Sequence, residues 1–361
     1  MERPRLRVVT IKEVAAKAGV SVATVSYALR NAPKIPAKTR EQVQAVAQGL
    51  GYRPNPRVAS LMAHIRQAHG RSPGERLAFV WVHTTREQVK KEAFLREVLL
   101  GARRRAEQMG FRLEEFWTDD PGMTDQRLQQ IILARGITGV VLSPVTTSEA
   151  SLSLQWDWDR FAVAVIGNVL WNPELNHAGH HHFLGMSMAL TELGKRGFVR
   201  PAAVVEAKIN SRARRAWEAS FLTWHPTPQL APGLLRLHGA DKIEETADWV
   251  KSVEPDALIL SSGNLLDHDA FQPWLQKGKI PLVTLYWNGK RKIFGGIDQG
   301  YGHIAGSAVD MVITQLNSNE TGVPELPRMM LFPGRWICPK PAEKSKVARK
   351  GLRGKPIETT A

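Results

Sequence analysis

Thr10-Ile11-Lys12-Glu13-Val14-Ala15-Ala16-Lys17-Ala18-Gly19-Val20-Ser21-Val22-Ala23-Thr24-Val25-Ser26 carries the sharpest local pattern in the sequence. Val14 and Ala18 stand four apart, on one face of a first short helix. Gly19 follows where the chain must turn, and glycine takes positive φ without a Cβ penalty. Ser21 is an N-cap residue for a second helix, its hydroxyl able to cover an orphan backbone N–H. Val25 and Leu29 repeat at i, i+4 and give that helix a buried stripe. A third helix is predicted from about Thr39, another cap, with Val43, Val46, Ala47 and Leu50 inward. Two short helices about a glycine turn with a third packed behind make a helix-turn-helix.

Charge supports a polyanionic partner for this unit. Residues 1–70 hold twelve Lys/Arg against three Asp/Glu, a net +9 of the chain's +15. Residues 340–361 hold seven against two, a net +5. The span between them has thirty against twenty-nine and is close to neutral, as suits a small-molecule or oligomerisation unit. At 361 residues the chain is too long for one ordinary core. No apolar run approaches the 18 residues of a membrane helix, and no apolar signal core follows the basic residues 1–7, so a cytoplasmic location is expected. Cys338 is the single cysteine, which excludes an internal disulfide and a multi-cysteine zinc site.

The runs Thr10–Ala15, Ala18–Ser21, Ala23–Ser26 and Leu50-Gly51-Tyr52-Arg53-Pro54-Asn55 resemble the headpiece of the lac repressor (LacI/GalR) family of bacterial transcription regulators. In a helix-turn-helix the first residues of the second helix face base edges in the major groove. Those are Val22 and Ala23, apolar partners for a thymine methyl, and Tyr27 one turn on. Thr10, Ser21, Thr24, Ser26, Asn31 and Lys34 suit phosphate contacts, which position the unit without reading sequence. After Pro54 and Pro56, residues 57–66 match the family's hinge helix. The resemblance places a minor-groove wedge at Leu61, and apolar wedges of this kind kink DNA. These readings give a DNA-binding unit at 1–55 and a hinge with linker at 56–74.

Beyond residue 75 apolar strand runs alternate with helical patterns, which implies βαβ units and parallel sheets. Strands are predicted at Leu77–Val82, Phe111–Trp117, Ile137–Ser143 and Phe161–Gly167, then at Pro201–Glu206, Leu234–His238, Ala257–Ser261, Pro281–Trp287, Phe294–Asp298 and Arg328–Leu331. Helices are predicted between them, one running unbroken over Ser211–Thr223. The fold class is therefore an all-α helix-turn-helix headpiece plus an α/β core of two doubly wound lobes. The resemblance implies a periplasmic-binding-protein-like core over 75–339. It puts lobe one at about 75–168 plus 293–322 and lobe two at about 172–288 plus 327–339. Crossings then fall near 168–171, 288–293 and 323–327. Residues 340–361 read as a basic tail.

Ligands of such folds lie beyond the carboxyl ends of strands, between the lobes. Five residues are candidates for that cleft. His181 stands where the family often opens a helix with aspartate. Arg212 and Trp217 lie where it places an effector-holding arginine. Trp287 stands where an aspartate often meets ligand hydroxyls, and Asp298 lies in the segment Gly295–Gln299 that resembles the family's late strand. Trp81, Trp117 and Trp171 also fall near predicted strand ends, and aromatic faces stack on sugar rings. His177, His180, His181 and His182 are too close in sequence to face one point, so no metal is expected. No catalytic motif is present, so neither an enzyme nor a cofactor is expected. The sequence thus points to a sequence-specific regulator, by resemblance a repressor, that binds a near-palindromic DNA operator as a homodimer. A small molecule, such as a sugar, would control it from the cleft, and no membrane partner is expected. Two other readings remain open: a DNA-binding protein whose core takes no ligand, and a solute-binding receptor.

Overall fold

The computed structural model describes residues 11–29, 35–50, 52, 75–146, 151–239, 241–277, 280–289 and 293–338. Thr10, Asn31, Lys34, Leu61, the hinge and linker at 56–74 and the tail at 340–361 lie outside the described residues.

Three helices form the amino-terminal unit: α1 (Ile11–Ala18), α2 (Val22–Leu29) and α3 (Ala37–Gly49). Val14, Ala15, Ala18, Val25, Ala28, Val43 and Ala47 are buried together, and Ile11, Val20, Leu29, Val46, Leu50 and Tyr52 pack around them. Gly19 makes the turn at φ +68°. Small residues at the contact let three short helices approach closely enough to share one core. Two polar side chains of α3 tie the other helices down: the Gln42 amide donates to the Ala18 carbonyl (3.3 Å) and that of Gln44 to the Ala28 carbonyl (3.4 Å). The third helix begins at Ala37, two residues ahead of the expected Thr39 cap. Pro36 takes the N-cap position, its ring holding φ at −54° ready for the helix, with no side-chain cap bond.

The core holds two six-stranded sheets. Its first elements are β1 (Arg76–Trp81), α4 (Arg86–Lys91), α5 (Ala93–Gln108), β2 (Arg112–Trp117), α6 (Asp125–Ala134), β3 (Gly139–Leu142), β4 (Ser151–Leu152), β5 (Ala162–Ile166), β6 (Leu170–Trp171) and β7 (Asn176–His180). The chain continues through α7 (His182–Gly194), β8 (Pro201–Glu206), α8 (Ala207–Arg212), α9 (Ala216–Trp224), β9 (Leu235–His238), α10 (Ile243–Val253), β10 (Ala257–Leu260), α11 (Gln272–Lys277) and β11 (Leu282–Thr284). It closes with β12 (Gly295–Asp298), α12 (Tyr301–Ser318), β13 (Met329–Phe332) and β14 (Arg335–Ile337).

The first sheet runs β13-β7-β5-β3-β1-β2, all parallel. The second runs β14-β12-β11-β10-β8-β9, parallel except for β14. The wholly buried strands of such sheets read as unbroken apolar runs because helices cover both faces. Phe79-Val80-Trp81 and Ala162–Ile166 are examples. Helices α5 and α12 cross so closely on the first sheet that a Cβ at Gly101 would collide with the Gly302 backbone.

The lobe boundaries differ from those expected. β7 belongs to the first sheet, so the first crossing lies at His180–His182 and not near 168–171. All five residues of β7 are buried, but Asn-His-Ala-Gly-His has neither alternation nor β-branched side chains to mark a strand. β12 belongs to the second sheet, which moves the return crossing from 288–293 to the turn between Asp298 and Tyr301. β13 pairs with β7 in the first sheet and β14 with β12 in the second. The last crossing is therefore at Pro333–Gly334 rather than 323–327. All three crossings lie side by side: the His181 N–H donates to the Phe332 carbonyl (2.7 Å), and a Cβ at Gly334 would meet His180 and Ile297.

Candidate functional site: an interlobe cleft and a helix-turn-helix surface

Because β3, β5, β8, β10 and β11 run parallel within their sheets, the segments that follow them all emerge at carboxyl ends. They surround a cavity of about 750 Å³ between the lobes. Phe94, Pro144, Val145, Thr146, Asn168, His180 and Tyr301 line it from lobe one. His182, Glu206, Arg212, Trp217, Ser261, Ser262, Tyr286 and Asn288 line it from lobe two. Gln299 sits at the crossing between them.

Arg212 reaches across the cavity. One guanidinium nitrogen donates to the Val145 carbonyl of lobe one at 2.9 Å. Burial lowers its pKa from the ordinary arginine value, with Glu206 and Tyr301 opposing that shift. The expected helix Ser211–Thr223 is in fact broken after Arg212, and the break gives this side chain its direction. Arg214 and Arg215 both take left-handed backbone, at φ 52° and 56°, which costs a non-glycine residue roughly 1 kcal/mol or more each. Buried Asn210 holds the kink: its carbonyl accepts from Arg215 N (2.8 Å) and its side-chain amide donates to Glu218 (2.9 Å). Arg214 makes a second interlobe link, 3.5 Å from Glu174.

Trp217 packs edge-on against His182, with ring centroids 4.7 Å apart, and His182 packs edge-on against His180 at 5.0 Å. Trp217 Nε1, His182 Nδ1 and Gln299 Oε1 are buried without a hydrogen-bond partner among the described residues. Phe94, Tyr286 and Tyr301, which also line the cavity, form a second aromatic group, with centroids 5.3 to 6.1 Å apart. Burial pushes both tyrosine pKa values up.

Burial also keeps His180 and His182 neutral. It holds His182 well below the usual value and lowers His180 to about 4. The unfolded chain binds a proton at His180 near pH 6.5, whereas the folded chain does so only near 4. Between those values the unfolded state carries more protons, so stability falls as pH falls. His180→Phe is expected to make the loss of stability between pH 7 and pH 4 shallower by roughly 3 kcal/mol. Urea unfolding at a series of pH values measures this, and an unchanged pH slope would contradict it.

The structure places Arg212 and Trp217 on the cavity wall, and three other candidates elsewhere. His181 is the N-cap of α7; its Nδ1 accepts from Leu184 N (3.3 Å). The cavity-facing residues are its neighbours His180 and His182, because strand and helix meet there and successive side chains diverge. Trp287 packs on the lobe-two core against Gly296, and Tyr286 and Asn288 face the cleft instead. Asp298 accepts from Gly300 N (3.0 Å) and pairs with Arg335 (2.7 Å) at the crossing, beside a separate cavity of about 600 Å³. Trp81, Trp117 and Trp171 belong to lobe-one packing: Trp81 is fully buried, donates to Glu115 (2.9 Å) and stacks on Trp117 (5.3 Å). The residues missed from sequence, Phe94, Asn168, Ser261, Tyr286 and Tyr301, carry one usable signal: each lies just past a strand end or at a helix start. His177 lies in β7, its Nδ1 3.3 Å from the Leu175 carbonyl, and no group of three or more His, Cys, Asp or Glu among the described residues is placed to hold a metal ion.

In the amino-terminal unit, Ser21 Oγ accepts from Thr24 N (3.0 Å) and bonds the Thr24 hydroxyl (2.9 Å), fixing the start of α2. Tyr27 is exposed one turn further along. Val22, Ala23 and Ser26 lie in α2, their side chains outside the described set. Ser21 and Tyr27 thus face outward while Val25 and Ala28 hold the core.

Residues 10–55 match the family described as bacterial regulatory proteins, lacI family. The chain is 42% identical over 62 residues to the HTH-type transcriptional regulator GalS of Salmonella typhimurium. It is 37% identical over 86 residues to the HTH-type transcriptional regulator GanR of Bacillus subtilis. Those matches span 17% and 23% of this chain, and only 18% and 26% of the two relatives. Among solved structures, a transcriptional regulator CelR–cellobiose complex aligns with TM-score 0.50 at 15% identity, over 91% of this chain and 98% of that one. The lac repressor bound to ONPG aligns with TM-score 0.50 at 18% identity, over 92% and 98%. A putative LacI regulator from Bacillus cereus aligns with TM-score 0.52 at 13% identity, over 75% and 99%. At these identities the alignments establish the fold: a helix-turn-helix unit ahead of a two-lobed parallel-sheet core.

Proposed function

We propose, from the match of residues 10–55 to the lacI family of bacterial regulatory proteins, that the whole chain is a DNA-binding transcription regulator acting as a repressor. One observation carries the reading. A basic three-helix unit with the family's headpiece sequence precedes a two-lobed core whose cleft is lined by polar and aromatic side chains. Val22, Ala23 and Tyr27 are assigned to base edges. Thr10, Ser21, Thr24, Ser26, Asn31 and Lys34 are assigned to phosphates. One headpiece covers one half-site, so two copies are needed on a near-palindromic operator.

The cleft takes a small hydroxylated molecule of sugar size. Its many neutral hydrogen-bonding groups and its two aromatic walls support this, as does the cellobiose complex of a protein with the same fold. Ligand and operator are coupled through the angle between the lobes, and such coupling is reciprocal. Residues 56–74 are assigned to the hinge and linker, and the basic residues 340–361 are assigned no part in the cleft. No helix of the described residues is long and apolar enough to cross a membrane.

Selection of bound duplexes from a random pool tests the reading. It requires an enriched inverted repeat that binds two copies, and enrichment of no sequence would overturn it. Leu61→Ala is expected to weaken binding to the selected duplex by roughly tenfold while leaving random duplex affinity nearly unchanged. Fluorescence anisotropy on both duplexes measures the ratio, and equal losses would remove the wedge role from Leu61.

A further inference from the structure

Three contacts join the lobes across the cleft, and both partners of each belong to this chain. Arg212 of lobe two donates to the carbonyl of Val145, just past β3 in lobe one, at 2.9 Å. Arg214 of lobe two lies 3.5 Å from Glu174 of lobe one. Tyr286, just past β11 in lobe two, stands edge to face against Phe94 and Tyr301, with centroids 6.1 and 5.7 Å apart. Those two open α5 and α12, the helices that pack on the first sheet.

The contacts differ in strength. Arg214 and Glu174 are 37% and 50% exposed, so water and salt screen that pair. The Arg212 bond is part-buried and its acceptor residue Val145 is buried. A charged donor on a carbonyl shielded from water makes the stronger bond of the two. Edge-to-face packing of three rings adds an attraction that salt does not weaken. Both arginines issue from the strained turn. Left-handed backbone at Arg214 and Arg215 persists only because its surroundings hold it, here through buried Asn210. The strain brings two successive guanidinium groups of lobe two onto lobe one.

We propose that the turn Asn210–Arg215 is a clasp that fixes the angle between the lobes from within the chain. Arg212 on the Val145 carbonyl is its main hook, and Tyr286 against Phe94 and Tyr301 is its support. The clasp concerns the lobes alone, so it stands whether or not the cleft takes a ligand.

The test is a pulsed electron–electron distance measurement on the full chain. Spin labels are placed at Glu107→Cys on α5 and Lys251→Cys on α10, both exposed, in a Cys338→Ser background. Dilution with unlabelled chain restricts the reading to distances within one copy. The parent is expected to give one narrow distance. Arg212→Met keeps most of the apolar stem without the donor, and is expected to lower the ratio of clasped to displaced chains by about tenfold, making a second distance plain. Arg212→Met with Tyr286→Leu is expected to lower it further. Arg212→Lys, which keeps the charge but shortens the reach, is expected to shift the ratio the same way, and it carries the test if the methionine variant fails to fold. Glu174→Gln is expected to leave the distribution nearly unchanged. One unaltered distance in every Arg212 variant would overturn the clasp, as would a parent distribution already broad.

Discussion

Val25→Asp is expected to abolish DNA binding while leaving the two-lobed core folded. Val25 is fully buried at the centre of the headpiece, where α1, α2 and α3 meet. Among the described residues seven side chains are buried in that cluster, and all are alanine or valine. A core so small has little stability to lose. An unpaired carboxylate there costs several kcal/mol or forces the helices apart to let water in. Either outcome destroys the surface that α2 presents. Affinity for the selected duplex is expected to fall by about a thousandfold or more. The thermal transition of the core should not move, because its three apolar clusters contain no headpiece residue. Anisotropy and calorimetry on the same sample measure the two effects. Retained operator affinity would mean that this unit is not the reader.

Gly101→Val is expected to give the second large effect, in the core. Leu95, Val98, Ala102 and Ala106 of α5 pack with Ile304, Ala305, Ala308, Val309 and Val312 of α12 over the first sheet. At their crossing a side chain on Gly101 meets the Gly302 backbone, which has no rotamer to give way. The two helices must separate, at a cost of about 3 kcal/mol or more and a loss of roughly 10 °C in Tm. The first turn of α12 would also shift Tyr301 in the cleft wall, so ligand response should weaken with stability. Gly194→Ala is the control: a Cβ there meets nothing within 4 Å, and no destabilisation is expected. Equal Tm values for the two variants would contradict the packing described.

Much of this architecture is legible in the sequence because its physics is local. The headpiece is written in three short amphipathic stretches about a glycine turn. The buried parallel strands are written as apolar runs of four to six residues. What escapes reading depends on contacts distant in sequence. β7 is buried on both faces yet built from polar and small residues, because its neighbours supply the apolar surface. Missing it shifts the first lobe crossing by about ten residues. Assigning β12 to its sheet requires knowing that it pairs with β11 and β14, which no periodicity contains. The cleft shows the same limit on a finer scale. His181, Trp287 and Asp298 stand one position from residues that face the cavity. Those neighbours are His180 and His182, Tyr286 and Asn288, and Gln299. Proximity to a strand end locates a site, whereas the direction of each side chain is set by the turn that follows. The break at Arg214–Arg215, two left-handed residues without glycine, carries no sequence signal of its own.

The account depends most on the amino-terminal unit gripping one defined duplex sequence. Nuclease footprinting on the selected duplex measures this directly, with the full chain compared to a chain lacking residues 1–55. The expected result is symmetrical protection of two half-sites by the full chain and none by the truncated one. Protection that persists without residues 1–55, or that never rises above the pattern on random duplex, would contradict the account.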